Sequence, residues 1–271
     1  MKPDPKIKLL LERGFERYNR PNFIVNDPIS LPHRFQKKED IEIIGFLVSI
    51  IAWGQRKSII NSGLKMIELM HHAPYDFILH HTENDLKKCS KFVHRTFNGD
   101  DFLSIIGFIQ SLYLDHGGLE TAFSKHLKRK DTDVGPAISG FRKSYENSPY
   151  YIDRTKKHIA TPDKGSACKR INMFLRWMVR KDDNGVDFGL WKTIRMDQLI
   201  CPLDVHVLNQ AKSIKLIDTD KGDWKTAIEL TNKLKMYDPK DPVKYDFSLF
   251  GSGVEKTGIE KMMNNLNEVQ K

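Results

Sequence analysis

Two short segments place reactive side chains where helices begin. In TPDKGSACKRINMFLRWM (161–178), Pro162–Gly165 makes a tight turn directly before a helix, and Lys169 falls in that helix's first turn. The positive end of the helix dipole opposes a further positive charge there and favours a neutral amine. A neutral amine can attack a sugar carbon and then form a Schiff base. Backbone N–H groups at the turn and helix start are expected to point outward and bind phosphate without reading sequence. In ICPLDVHVLNQA (200–211), Asp204 follows a proline and precedes a helix. That is an N-cap position, and it also holds a carboxylate ionised beside helix N–H groups. Such a carboxylate can stabilise the positive charge that develops on a sugar as its base departs. Taken singly, Lys169 reads as an exposed lysine and Asp204 as a cap. Together they supply a nucleophile and its electrostatic partner.

The elements that must position this pair are helical. Residues 40–52, DIEIIGFLVSIIA, open with Asp40 as an N-cap and continue almost wholly apolar, the pattern of a helix buried on most sides. Helical patterns follow over 58–71, over 101–114 with a stop at Gly117-Gly118, and over 119–130. The stretch from GPAISG to ENSPY (135–150) is rich in turn formers and reads as a loop. Residues 166–180 form the clearest amphipathic helix. Ile171, Phe174, Leu175 and Met178 lie on one stripe, and Lys169, Arg176 and Arg180 on another. Residues 181–189 read as a loop, 205–216 as a helix, and 224–235 as a helix capped by Asp223 and ended by Pro239 and Pro242. VKYDFSLFGSG (243–253) reads as a last apolar helix. No alternation persists long enough to build a sheet.

Bulk properties fit this reading. Among 271 residues, 44 Lys and Arg against 35 Asp and Glu leave a net charge of +9, which suits a polyanionic partner or a merely basic surface. No apolar run approaches the roughly 20 residues of a membrane span. The charged N-terminus lacks a signal-peptide core, so a cytoplasmic, nucleoid-associated protein is expected. Cys89, Cys168 and Cys201 are few and scattered, which argues against a disulfide framework, an iron–sulfur centre or a structural zinc.

The order of these pieces resembles the helix-hairpin-helix DNA glycosylase superfamily. In its lyase members a lysine follows the hairpin and an aspartate comes later, at the start of another helix. Here Gly165-Ser166-Ala167-Cys168-Lys169 stands as the hairpin analogue and Leu203-Asp204-Val205-His206 as the aspartate element. The wording of the segments also resembles an uncharacterised bacterial family with this same hairpin and Pro-Leu-Asp-Val-His element, which brings no activity with it. Three departures stand out: Gly-Ser-Ala replaces the usual Gly-x-Gly, the spacer 181–198 looks inserted, and a cysteine cluster after the last helix is absent. The longer spacer is the one hint toward oxidised guanine.

The resemblance spans residues 40–253 and implies an all-α, two-lobed fold with a helix-hairpin-helix element. One lobe covers 40–180, and the other combines 1–39 with 181–271. It further implies a monomeric DNA glycosylase with AP (β-)lyase activity on duplex DNA carrying a damaged base or an abasic site. Lys169 and Asp204 would be catalytic, and no metal or organic cofactor would be needed. Gln55, at the end of the first apolar helix, would be a wedge in the duplex or an ordinary loop residue. Arg56, Lys57, Lys164, Gly165, Ser166 and Arg170 would contact DNA, with Lys164 also a competing nucleophile. Arg176 and Arg180 would be phosphate contacts or surface ion pairs. His206 and Phe250 would line a base pocket or simply pack. Trp177 and Trp191 read as core. The alternative is a non-catalytic DNA- or RNA-binding protein on the same fold.

Overall fold

The computed structural model describes residues 3–255 and Ile259. Among these, the regular structure is helical apart from one antiparallel pair of two-residue strands, as an all-α fold requires. In chain order the helices are α1 (Pro5–Tyr18), α2 (Pro21–Ile24), α3 (Lys38–Ile50), α4 (Arg56–Leu69), α5 (Pro74–His80) and α6 (Glu83–Cys89). After the strands β1 (Val93–His94) and β2 (Phe97–Asn98) come α7 (Gly99–Asp115), α8 (Gly118–Ser124) and α9 (Gly135–Glu146). Then follow α10 (Lys169–Val179), α11 (Val205–Ser213), α12 (Trp224–Lys235) and α13 (Asp246–Val254).

Contacts divide the chain into two units. The first is assembled from Met1–Phe23, Pro162–Gly189 and Arg195–Lys271, the second from Ile24–Thr161 and Leu190–Ile194. The breaks fall near 23 and 161 rather than at 39 and 180. The reason is packing: Leu31 lies against Gly63 of α4, which draws 24–39 into the second unit. The buried Arg176 of α10 pairs with Asp187 and Asp246 farther along the chain, which draws that helix into the first.

In the second unit, every residue of α3 from Ile41 to Ile50 is buried, as an almost wholly apolar run demands, and Glu42 and Ser49 are buried with it. The helix starts two residues earlier than expected, at Lys38, with no side-chain cap. Asp40 caps a different helix: its carboxylate accepts from the Tyr75 N–H at 2.8 Å, at the start of α5. α7 is held by a reciprocal capping box between Asn98 and Asp101. The expected loop at 135–150 is largely helix α9. Pro136 sits in its first turn, where a missing N–H costs nothing, and Ile138, Phe141 and Tyr145 form a buried stripe. Phe141 stacks on Phe123 at 3.9 Å between ring centres and meets Phe46 and Phe108 edge-on.

In the first unit, α1 crosses α13 where both carry small residues. A Cβ on Gly14 would stand 2.7 Å from the Ser248 Cβ, and one on Gly251 would stand 2.4 Å from the Tyr18 ring. The Ser248 hydroxyl donates to the Leu11 carbonyl across this crossing. α11 packs on the same helix α13, so α13 is the hub of this unit.

Candidate active site

The first unit brings Lys169, Asp204, His206 and Phe250 together. α10 begins at Lys169, three residues later than the apolar pattern suggests. The delay is local: Cys168 takes a left-handed conformation (φ +51°), and so does Gly165 (φ +74°). The turn is tied down from within and from α12. The Gly165 N–H donates to the Pro162 carbonyl at 2.7 Å, and its carbonyl accepts from the Trp224 N–H at 3.0 Å. The Cys168 N–H donates to the Ser166 hydroxyl at 3.1 Å. These two N–H groups were expected to point outward to phosphate, and both are engaged inside the turn. Before the turn stand two short 3-10 segments, Asp153–His158 and Pro162–Lys164, where a helix-hairpin-helix element would have its first α-helix.

Lys169 lies in the first turn of α10 with its side chain three-quarters buried. Its Nζ stands 3.6 Å from Asp204 Oδ2, 3.8 Å from Met173 Sδ and 5.4 Å from the centre of the Phe250 ring. Asp204 has the extended backbone of an N-cap. Its Oδ1 accepts from the N–H groups of His206 and Val207 at 2.9 and 3.0 Å, so the cap fixes the carboxylate and leaves Oδ2 facing the lysine. His206 is exposed rather than partly buried, with its ring edge-on to Phe250 at 6.4 Å. Lys164 and Gly165 are exposed and Ser166 half-buried on the turn. Arg170 is also half-buried, and burial pulls its guanidinium down to about 10. Gln55 and Arg56 belong to the second unit, where Gln55 is the exposed N-cap position of α4 and Arg56 its first residue.

Arg176 and Arg180 are neither phosphate contacts nor surface residues. Both are buried, 3% and 1% exposed. Arg176 pairs with Asp246 and with Asp187 (3.2 Å). Arg180 pairs with Asp182 (2.7 Å), Asp241 (2.9 Å) and Asp187 (3.1 Å). Burial pushes the Asp246 carboxyl up to about 6 against the pull of Arg176, and that carboxyl also interacts electrostatically with Asp204 and Lys169. Burial likewise raises Asp241 to about 6. The network joins α10, which carries the lysine, to the first residue of α13, which carries Phe250. Sequence reasoning missed it, although an aspartate inside the apolar run VKYDFSLF was a signal of a buried partner. Trp177 and Trp191 are core, as expected.

An amine and a carboxylate in contact beside an aromatic face can perform nucleophilic attack with electrostatic support. Among the described residues, no group of three His, Cys, Asp or Glu side chains is placed to hold a metal ion, and no helix is long and apolar enough to cross a membrane. All three cysteines are free and buried.

Compared with known proteins, the chain matches over residues 27–255 the model of a family described as "Protein of unknown function (DUF2400)". No curated protein and no solved structure matches it.

Proposed function

Because the chain belongs to the DUF2400 family, whose description assigns no activity, we propose a function from the site itself: a DNA glycosylase with β-lyase activity. The observation that carries this reading is the contact between Lys169 Nζ and Asp204 Oδ2 at 3.6 Å, with the lysine over the Phe250 ring. The substrate is duplex DNA with a damaged base, extruded because a base edge and its sugar carbon are hidden in the stack. Asp204 stabilises the oxocarbenium charge and assists deprotonation of the amine. Lys169 attacks C1′, and the N-glycosidic bond breaks with its electron pair leaving on the base. Ring opening gives a Schiff base between Nζ and C1′. Loss of the C2′ proton then expels the 3′ phosphate and cleaves the strand.

Borohydride trapping on duplexes carrying an abasic site, 8-oxoguanine or an oxidised pyrimidine tests this proposal. The expected result is a covalent complex that Lys169→Gln abolishes while the variant stays folded. Undiminished trapping in that variant would remove Lys169 from the mechanism.

The second reading, a binder without chemistry, is favoured by one observation: the Gly165 and Cys168 amides are engaged within the turn. It expects wild-type protein to bind duplex DNA reversibly and to trap on none.

A further inference from the structure

The second unit holds an open surface depression of about 400 Å³ beside α4, apart from the residues assigned above to catalysis. Lys57, Asn61 and Lys65 line it at successive turns of one helix face. The opposite face, with Ile59, Gly63, Met66 and Ile67, is buried, so the helix is fixed by its core side and offers a wholly polar side to the depression. Gln55 stands at its N-terminal end. The buried Phe92 and the two-thirds exposed Val93 of β1 supply an apolar wall.

Two features point to an anion. No carboxylate among the described residues lines the depression; Glu68 follows one turn beyond Lys65. The side chains of Gln55, Lys57, Asn61 and Lys65 also make no hydrogen bond or ion pair among the described residues. Elsewhere in this unit a lysine near a carboxylate pairs with it, as Lys38 does with Glu120 at 2.6 Å. Lys57 and Lys65 are eight residues apart, about 12 Å along the helix axis. That span covers three to four axial steps between phosphates of one strand, each about 3.4 Å. An exposed valine beside the cations suits a sugar edge better than a free inorganic anion.

We propose that this surface is a second nucleic-acid contact, seating phosphates about three to four steps apart on one strand against Lys57 and Lys65, with Asn61 between them and Val93 against the sugars. The proposal rests on the nucleic-acid reading above and does not depend on its chemistry. The test is fluorescence anisotropy of full-length protein with a labelled undamaged duplex across a salt series. It compares wild type, K57Q/K65Q and the control K128Q/K130Q, which removes two exposed lysines of the same unit.

The expected result is that K57Q/K65Q reduces the slope of log affinity against log salt by about two, while the control leaves it unchanged. An equal change in both double variants would mean a diffuse charge effect and would overturn the site. So would competition by inorganic pyrophosphate that K57Q/K65Q abolishes while the duplex slope stays at the wild-type value, because the depression would then take free anions. Borohydride trapping on the same samples separates the two proposals. Trapping with an unchanged slope removes this site alone; no trapping with the slope reduced removes the lyase and leaves this site standing.

Discussion

Asp204 caps a helix with one oxygen and faces Lys169 with the other, so its two roles can be separated by substitution. Asn also caps helices well, so Asp204→Asn should melt within a few tenths of a kcal/mol of wild type while its glycosylase rate collapses. Asp204→Ala should lose the rate and about 1 kcal/mol of stability as well. Rates measured beside thermal melts check both, and equal stability loss in the two variants would contradict the cap.

Asp246 carries a pH dependence of its own. Its folded value, about 6, lies above the ordinary value of about 4. The folded protein therefore keeps this proton after the unfolded chain has released it. The resulting stability is fully present below about pH 4 and is lost as pH rises to about 6. The advantage of wild type over Asp246→Asn in denaturant melts should shrink across that window; a constant advantage would show that the buried carboxyl does not titrate there. At this scale the sequence showed the lysine and the capping aspartate, because both announce themselves by position at helix starts. It hid Asp246, because nothing local reveals that Arg176, seventy residues earlier, lies beside it.

Helices with long apolar stretches were legible, and α3, α7, α11 and α12 lie close to where the sequence places them. α9 was not, because Gly135, Pro136 and Gly140 read as breakers. Proline is harmless in a first turn. Gly140 is there for packing, since a Cβ at that position would stand 2.1 Å from the His126 ring. Gly99 makes a tighter approach at the start of α7, where a Cβ would stand 1.8 Å from the Ser90 carbonyl oxygen. Backbone cannot swing aside as a side chain can. Gly99→Ala should therefore lose about 3 kcal/mol in a denaturant melt, and a near-wild-type midpoint would mean that the 90–99 connection shifts freely. The turn before α10 was half legible. Its glycine and position were readable, but the tie from its Gly165 carbonyl depends on the N–H of Trp224, far along the chain.

For the molecule as a whole, all-helical architecture followed from periodicity, while the division into units did not. Unit membership depends on long-range partners such as those of Arg180, which gathers Asp182, Asp187 and Asp241 from two separate stretches of the chain. Arg180→Met should destabilise the protein by about 3–5 kcal/mol at neutral pH, since it leaves Asp182 and Asp241 without their cation and Asp187 with Arg176 alone. The deficit should narrow at about pH 5, where Asp241, raised by burial to about 6, takes up its proton. Thermal melts at the two pH values decide this, and an equal deficit at both would mean that lost packing, not charge, sets the effect.

The crossing of α1 with α13 also has a consequence for synthesis on the ribosome. Leu11 and Ser248 meet across 237 positions, and translation adds about 5–20 residues each second. For roughly 10–50 s after it emerges, α1 lacks the helix α13 that it packs on. It carries Leu10 and Leu11, fully buried in the finished protein, through that interval as exposed apolar surface. A nascent chain of this protein is therefore a natural client for chaperones that hold unfinished chains, and its folding yield should depend on them more than its finished stability does.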